Sequence, residues 1–341
     1  MTYEEVIDNN CRHIANVGWW SRFAFHYTDV TNAVSILKEG FLYSRFDASD
    51  RAIMANDNAS SQVIDMTSLG VTSKVRFYFR PLTPTQFHNE GYKHSLLRYC
   101  HDSNANVPVP VFFLFDLTSL LAMKEICFSE KSLAGGGGTI RQGVGGFSNL
   151  NFTQIYKSGP MQDTEEEKKY RQAEILYPGA FDIRASLKHI YCRNEVERET
   201  LLNLLLRDDR KAFLQYKDYV AVCGDCFEKN GLFIMNCRYY DGKAVVVYSN
   251  TANQRAYTTK YKDKSDDVLI IQAQAIFEWT CRNTLITRQS CNFVVNYEKP
   301  SPTFFKGLKQ PKGASALHMK ILFEGKLVCY LRRQLTKGAM L

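Results

Sequence analysis

The run Tyr170-Arg171-Gln172-Ala173-Glu174-Ile175-Leu176-Tyr177-Pro178-Gly179 constrains this chain more tightly than any other segment. Residues Ile175 to Tyr177 favour β structure, and Pro178-Gly179 stops the strand they form. Side chains alternate faces along a strand, so Gln172 and Glu174 share one face while Ala173 and Ile175 point into a core. A carboxylate and a carboxamide placed this way suit cleavage of a nicotinamide–ribose bond. The glutamate grips a ribose hydroxyl and stabilises positive charge, and the glutamine orients an acceptor. The same spacing also fits an exposed strand face with two ordinary polar residues.

A second segment lies far upstream. Phe25-His26-Tyr27-Thr28-Asp29 begins apolar and turns polar, then leads into Val30, Ala33, Val34, Leu37 and Phe41, spaced as one face of a helix. Asp29 or Thr31 can cap its start and Gly40 its end. His26 and Thr28 then share one strand face at the mouth of a strand–helix unit. A third segment, Val75-Arg76-Phe77-Tyr78-Phe79-Arg80-Pro81, is another strand stopped by proline.

Taken in order, these segments resemble the DarT family, bacterial toxins with an ADP-ribosyltransferase fold that use NAD to modify bases of single-stranded DNA. The resemblance rests on His-x-Thr-Asp feeding a helix, a Phe-Tyr-Phe-x-Pro strand and a distal Gln-Ala-Glu strand. It extends over roughly residues 22 to 207 and takes in Val111–Leu117, Asn149–Tyr156 and Leu187–Cys192. It implies an essential arginine in the loop after the first helix, where Arg51 is our choice and Arg45 the rival. The arginine expected just after the strand-ending proline is replaced by Leu82, and Arg80 precedes the proline instead.

Length leaves room for two domains. From about residue 22 to 213 strands alternate with helices, whereas residues 216–341 are dominated by short β patterns. The expected fold is α+β: an ADP-ribosyltransferase domain over 1–215, then a β-rich sandwich or small barrel over 216–341. Asp241-Gly242 and Glu324-Gly325 mark turns in the second region. Thr2-x-x-Glu5 predicts a capped N-terminal helix. The glycines at 135–138, 143, 145 and 146 predict a flexible loop at the cleft rim, and the charged run Asp163–Lys169 predicts either an acceptor-facing loop or a solvated face.

No secretory pattern and no long apolar window are present, so a cytoplasmic protein without a membrane contact is expected. Ten cysteines without framework spacing read as reduced thiols. Cys223-x-x-Cys226 is half of a zinc motif with no second half, so no metal is assigned. The net charge is +8, and residues 301–341 carry eight Lys/Arg against Glu324 alone. A basic surface attracts phosphate backbones, which makes Lys306, Lys309 and Lys312 candidate nucleic-acid contacts; a solvated face is the simpler alternative.

By the resemblance, NAD is the substrate, held by His26, Thr28 and Tyr78. Glu174 and Arg51 are the catalytic pair, and Gln172 meets the acceptor. The acceptor is a base of single-stranded nucleic acid, DNA ahead of RNA, since an unpaired base exposes its edge. A neutralising antitoxin protein is the implied partner. The rivals are ADP-ribosylation of a protein side chain, and a non-catalytic nucleic-acid-binding protein on a degenerate scaffold.

Overall fold

The computed structural model describes residues 1–14, 18–51, 69–99, 102, 105–134, 138–159, 164–251 and 268–335. The first nine strands are β1 Phe23–Asp29, β2 Phe41–Leu42, β3 Lys74–Tyr78, β4 Pro110–Asp116, β5 Cys127–Ser129, β6 Glu174–Pro178, β7 Phe181–Asp182, β8 Leu187–Cys192 and β9 Val220–Val222. Seven of them form one sheet in the order β5-β6-β3-β1-β4-β8-β9. The run Pro-Val-Phe-Phe-Leu-Phe in β4 is buried throughout, as an inner strand covered on both faces requires.

Local signals explain the elements around the sheet. The helix Val30–Glu39 starts at Asp29, whose carboxylate accepts the Thr31 N–H at 2.9 Å. It ends at Gly40, where φ is +78°, and the Gly40 N–H reaches Ile36. Thr2 and Glu5 form the expected capping box of the helix Tyr3–Cys11.

Two local expectations need correction. Gly143, Gly145 and Gly146 do not lie in a loop: Gly143–Ser148 is a helical turn, held because Phe147 is buried among Tyr3, Phe128 and Phe152. Of the glycine run before it, residues 135–137 lie outside the described residues. The charged run is also not a loop. Glu165–Tyr170 is a helix capped by Thr164, with Lys168–Glu165 and Lys169–Glu166 pairs one turn apart; Asp163 lies outside the described residues.

The second region contains β10 Ile234–Tyr240, β11 Lys243–Tyr248, β12 Ile270–Cys281, β13 Thr284–Asn296, β14 Thr303–Phe305, β15 Ala316–Phe323 and β16 Lys326–Gln334. They make two sheets, β10-β11-β14 and β13-β12-β15-β16, which share one apolar core. Phe277 of one sheet meets Phe305 of the other with ring centres 5.3 Å apart. This is the expected sandwich-like arrangement. Tight turns join neighbours at Asp241-Gly242, Arg282-Asn283 and Glu324-Gly325, all at positive φ.

The expected division between residues 215 and 216 does not coincide with the two cores. Strand β9 pairs in parallel with β8 and so belongs to the first sheet. Conversely, Tyr92, Leu97 and Val196 join the second core. The seam is stitched by main-chain bonds in both directions between Tyr92 and Leu232. Backbones approach so closely there that a Cβ on Gly91 would sit 2.0 Å from the Asn230 carbonyl oxygen. Beneath it, buried Glu90 accepts the N–H groups of Glu228 and Lys229 and pairs with Arg193 at 3.2 Å; Arg193 also pairs with Glu197.

Candidate active site

Glu174 is the first residue of β6 and is fully buried. Across the sheet it stands opposite Tyr78, and Arg76 lies two residues along β3 on the same face. The Arg76 guanidinium grips both carboxylate oxygens, Nε to Oε2 at 2.9 Å and Nη2 to Oε1 at 2.6 Å. This is a bidentate fork, the geometry that favours arginine over lysine. Burial works against the Arg76 charge, but the Glu174 carboxylate outweighs it and raises the arginine above its ordinary range. The arginine side chain is 23 % exposed and the glutamate 0 %, so the pair meets solvent through Arg76.

Tyr78 completes the cluster. Burial raises its hydroxyl pKa; Arg76 opposes that shift, Glu174 adds to it, and a hydrogen bond with Gln172 lowers it. Gln172 is not on the strand as expected. It sits in the turn ahead of β6 and is buried, because its carboxamide is taken up by Thr85: Oε1 accepts the Thr85 N–H at 3.3 Å and Nε2 donates to the Thr85 hydroxyl. Thr85 belongs to the helix Pro84–Asn89, so Gln172 fastens that helix to the glutamate strand.

His26 and Thr28 lie on β1, which pairs with β3 at a single position, Phe25 opposite Tyr78. Beyond it the strands lose their ladder, and His26 Nδ1 bonds the Arg76 carbonyl oxygen at 3.0 Å. Burial pushes the His26 pKa below its ordinary value, against the opposing effect of that hydrogen bond, so a neutral ring is favoured. Alternation places the His26 ring, with Phe77 and Phe113, on the face opposite Glu174. Thr28 shares the His26 face of the strand and is buried.

Neither loop arginine is seen against Glu174. Arg51 caps the short helix Arg45–Asp50, is exposed, and stacks over Tyr43 at 4.6 Å; Arg45 opens the same helix. Arg80 is buried and structural: it donates to the carbonyls of Pro81, Ile155 and Lys157 and lies over Trp20. Burial and the neighbouring Arg171 cation push its pKa down to about 9. The residue missed in the sequence is Arg76. The sequence shows only that Arg76 and Tyr78 share one face of their strand; nothing in it names Glu174 as the partner.

Lys306, Lys309 and Lys312 are exposed in the loop between β14 and β15, far along the chain from Glu174. The Cys223 and Cys226 sulfurs are 3.8 Å apart, and among the described residues no group of three or more His, Cys, Asp or Glu could hold a metal. No described helix is long and apolar enough to cross a membrane.

Residues 25–220 match the family model described as "DarT: ssDNA thymidine ADP-ribosyltransferase". Solved structures with similarity include Thermus sp. 2.9 DarT in complex with NAD+, at 14% identity and TM-score 0.44, covering 61% of this chain and 98% of that one. Thermus sp. 2.9 DarT in complex with ADP-ribosylated ssDNA is 15% identical at TM-score 0.42, with 61% and 96% covered. Thermosipho africanus DarTG in complex with ADP-ribose is 14% identical at TM-score 0.44, with 60% and 51% covered. No curated protein matches the chain. The family match spans more than half of the sequence and takes in His26, Arg76, Tyr78 and Glu174, so the chain belongs to the DarT family of NAD-dependent ADP-ribosyltransferases.

Proposed function

We propose that the chain transfers ADP-ribose from NAD to a thymidine base of single-stranded DNA, and that it acts as a cytoplasmic toxin held in check by a neutralising protein. The observation that carries the chemistry is the buried Glu174 carboxylate, gripped at both oxygens by Arg76 within the family-matched segment. NAD supplies the ADP-ribosyl group: its ribose–nicotinamide bond breaks, nicotinamide leaves with the electron pair, and the proton lost by the attacking base nitrogen passes to Glu174.

The residues divide the task. Glu174 presents negative charge where positive charge develops on the ribose, in a site shielded from water, where such a contact is strongest. Arg76 grips both oxygens of that carboxylate and so fixes its direction. Its exposed edge suits a phosphate or the acceptor strand. With Nδ1 on the Arg76 carbonyl, His26 offers Nε2 to a ribose hydroxyl, and Thr28 offers its hydroxyl on the same face. His26 and Glu174 face opposite ways, so both meet one dinucleotide only around the seam where β1 and β3 part. Tyr78 packs beside the carboxylate. We read Gln172 as a positioning residue, since Thr85 occupies its carboxamide. Arg51 remains our choice for a contact to the pyrophosphate or the acceptor.

Incubation with radiolabelled NAD and separate pools of single-stranded DNA, RNA and protein tests the reading. Label is expected in DNA, confined to oligonucleotides that contain thymidine. Label in RNA or protein alone overturns the acceptor assignment. No label in any pool, with the chain folded, overturns the activity.

A further inference from the structure

Away from the glutamate strand, the second region carries a groove that no part of the mechanism above uses. It is open, with a volume of about 670 Å³, and lies where the β10–β11 turn, the loop after β14 and the end of β16 converge. Its walls include Tyr239, Tyr240, Lys243, Lys309 and Arg333, with Asp241 as the one acid among its described lining residues.

The groove is preformed. Leu308 donates its N–H to the Gly242 carbonyl at 2.9 Å, and the Tyr239 hydroxyl donates to the Leu308 carbonyl at 3.4 Å. Gly242 has φ +67°, and a Cβ there would lie 3.3 Å from the Leu308 carbonyl oxygen, so turn and loop are fitted to each other. The Arg333 guanidinium is fixed by Glu199 at 2.7 Å, which also reduces its net charge toward a ligand. Lys243 and Lys309 are exposed, and Lys306 and Lys312 extend the cation row along the loop. Tyr240 is 51% exposed, so its ring is open to a ligand in the groove.

An aromatic face flanked by lysines is the pattern for a single strand of nucleic acid. Bases stack on the ring whatever their identity, and the cations follow the phosphates. An acidic protein would use the lysines but gives no reason for the tyrosine. We propose that this groove is a second binding site for single-stranded DNA, in which Tyr240 stacks a base and Lys243 and Lys309 hold adjoining phosphates. It would anchor the strand outside the catalytic cleft. The inference rests on the proposed function in taking the ligand to be single-stranded DNA.

The test is fluorescence anisotropy of a labelled oligothymidylate titrated with the full chain, without NAD, over a range of salt. Tyr240→Ala is expected to weaken binding by roughly 5- to 150-fold, the range for one stacked base. Tyr240→Phe is expected to retain binding, which separates stacking from any loss of fold. Lys243→Ala with Lys309→Ala is expected to lower the log–log salt slope by about 1.4, roughly 0.7 per lost phosphate contact. Parent-like affinity for Tyr240→Ala overturns the proposal, and if only the lysine pair matters the face is a general cationic one, suited to an acidic protein. Transfer of labelled ADP-ribose is measured separately. Groove-dependent binding without transfer to DNA would sink the proposed activity and leave the groove; transfer to DNA with groove variants that bind normally would do the reverse.

Discussion

Among single side chains, the pairing of Arg76 with Glu174 decides most. Removing Arg76 strands a fully buried carboxylate, so Arg76→Ala is expected to cost about 3 kcal/mol of stability. Transfer should be lost as well. Chemical denaturation and a transfer assay check the two effects; a stable, active Arg76→Ala protein contradicts the assignment. Arg51→Ala is expected to abolish transfer while Arg45→Ala leaves most of it, and the reverse ranking in the same assay would reassign the loop. Cys223 gives an independent residue-level check. The Cys226 thiol donates to its sulfur, and this lowers the Cys223 pKa to about 7 although burial opposes it. Thiolate is the reactive form, so alkylation by iodoacetamide should rise with pH through about 7 at Cys223, ahead of the buried cysteines. Peptide mass spectrometry reads the order; Cys226 reacting first would contradict it. Glu174 was legible in the sequence because its strand carries its own stop signal. Arg76 was not, because its partner lies 98 residues away and only strand register brings them together.

For the secondary-structure elements, legibility followed the locality of the signal. Caps at Thr2, Asp29 and Gly40 and the Asp241-Gly242 turn are written within a few residues, and the structure carries all of them. The Arg282-Asn283 turn has no glycine to announce it, and the long β12–β13 hairpin imposes it. The helix Gly143–Ser148 contradicts the helix preference of its own glycines; burying Phe147, about 1.5–3 kcal/mol, offsets a propensity loss of about 1 kcal/mol per glycine. The Glu90–Arg193–Glu197 cluster is the extreme case, assembled from two segments about a hundred residues apart under a seam that no local pattern marks. Arg193→Met is expected to destabilise the chain by about 3–5 kcal/mol, because two buried carboxylates lose their cation. A shift in the denaturation midpoint measures this; an unchanged midpoint would mean the seam is held by apolar contacts alone.

The whole molecule joins two cores that exchange residues across that seam, with the helix Pro84–Asn89 linked on one side to Gln172 and on the other to Glu90 through Gln86. A route of direct contacts therefore runs from the glutamate strand to the second region. Composition foretold a basic second half and its patterning a β-rich one, but not that β10 and β16 would pack against the helix Glu195–Asp208. The central claim is that Glu174 supplies the charge that drives the glycosidic step. The most direct test is the rate of ADP-ribose transfer from NAD to a thymidine-containing single strand by Glu174→Gln, which keeps shape and removes charge. With folding verified by an unchanged circular-dichroism spectrum and a cooperative melt, the rate is expected to fall by about 10²–10³, the cost of losing one preorganised electrostatic contact. Transfer near the parent rate by a folded Glu174→Gln protein would contradict the account.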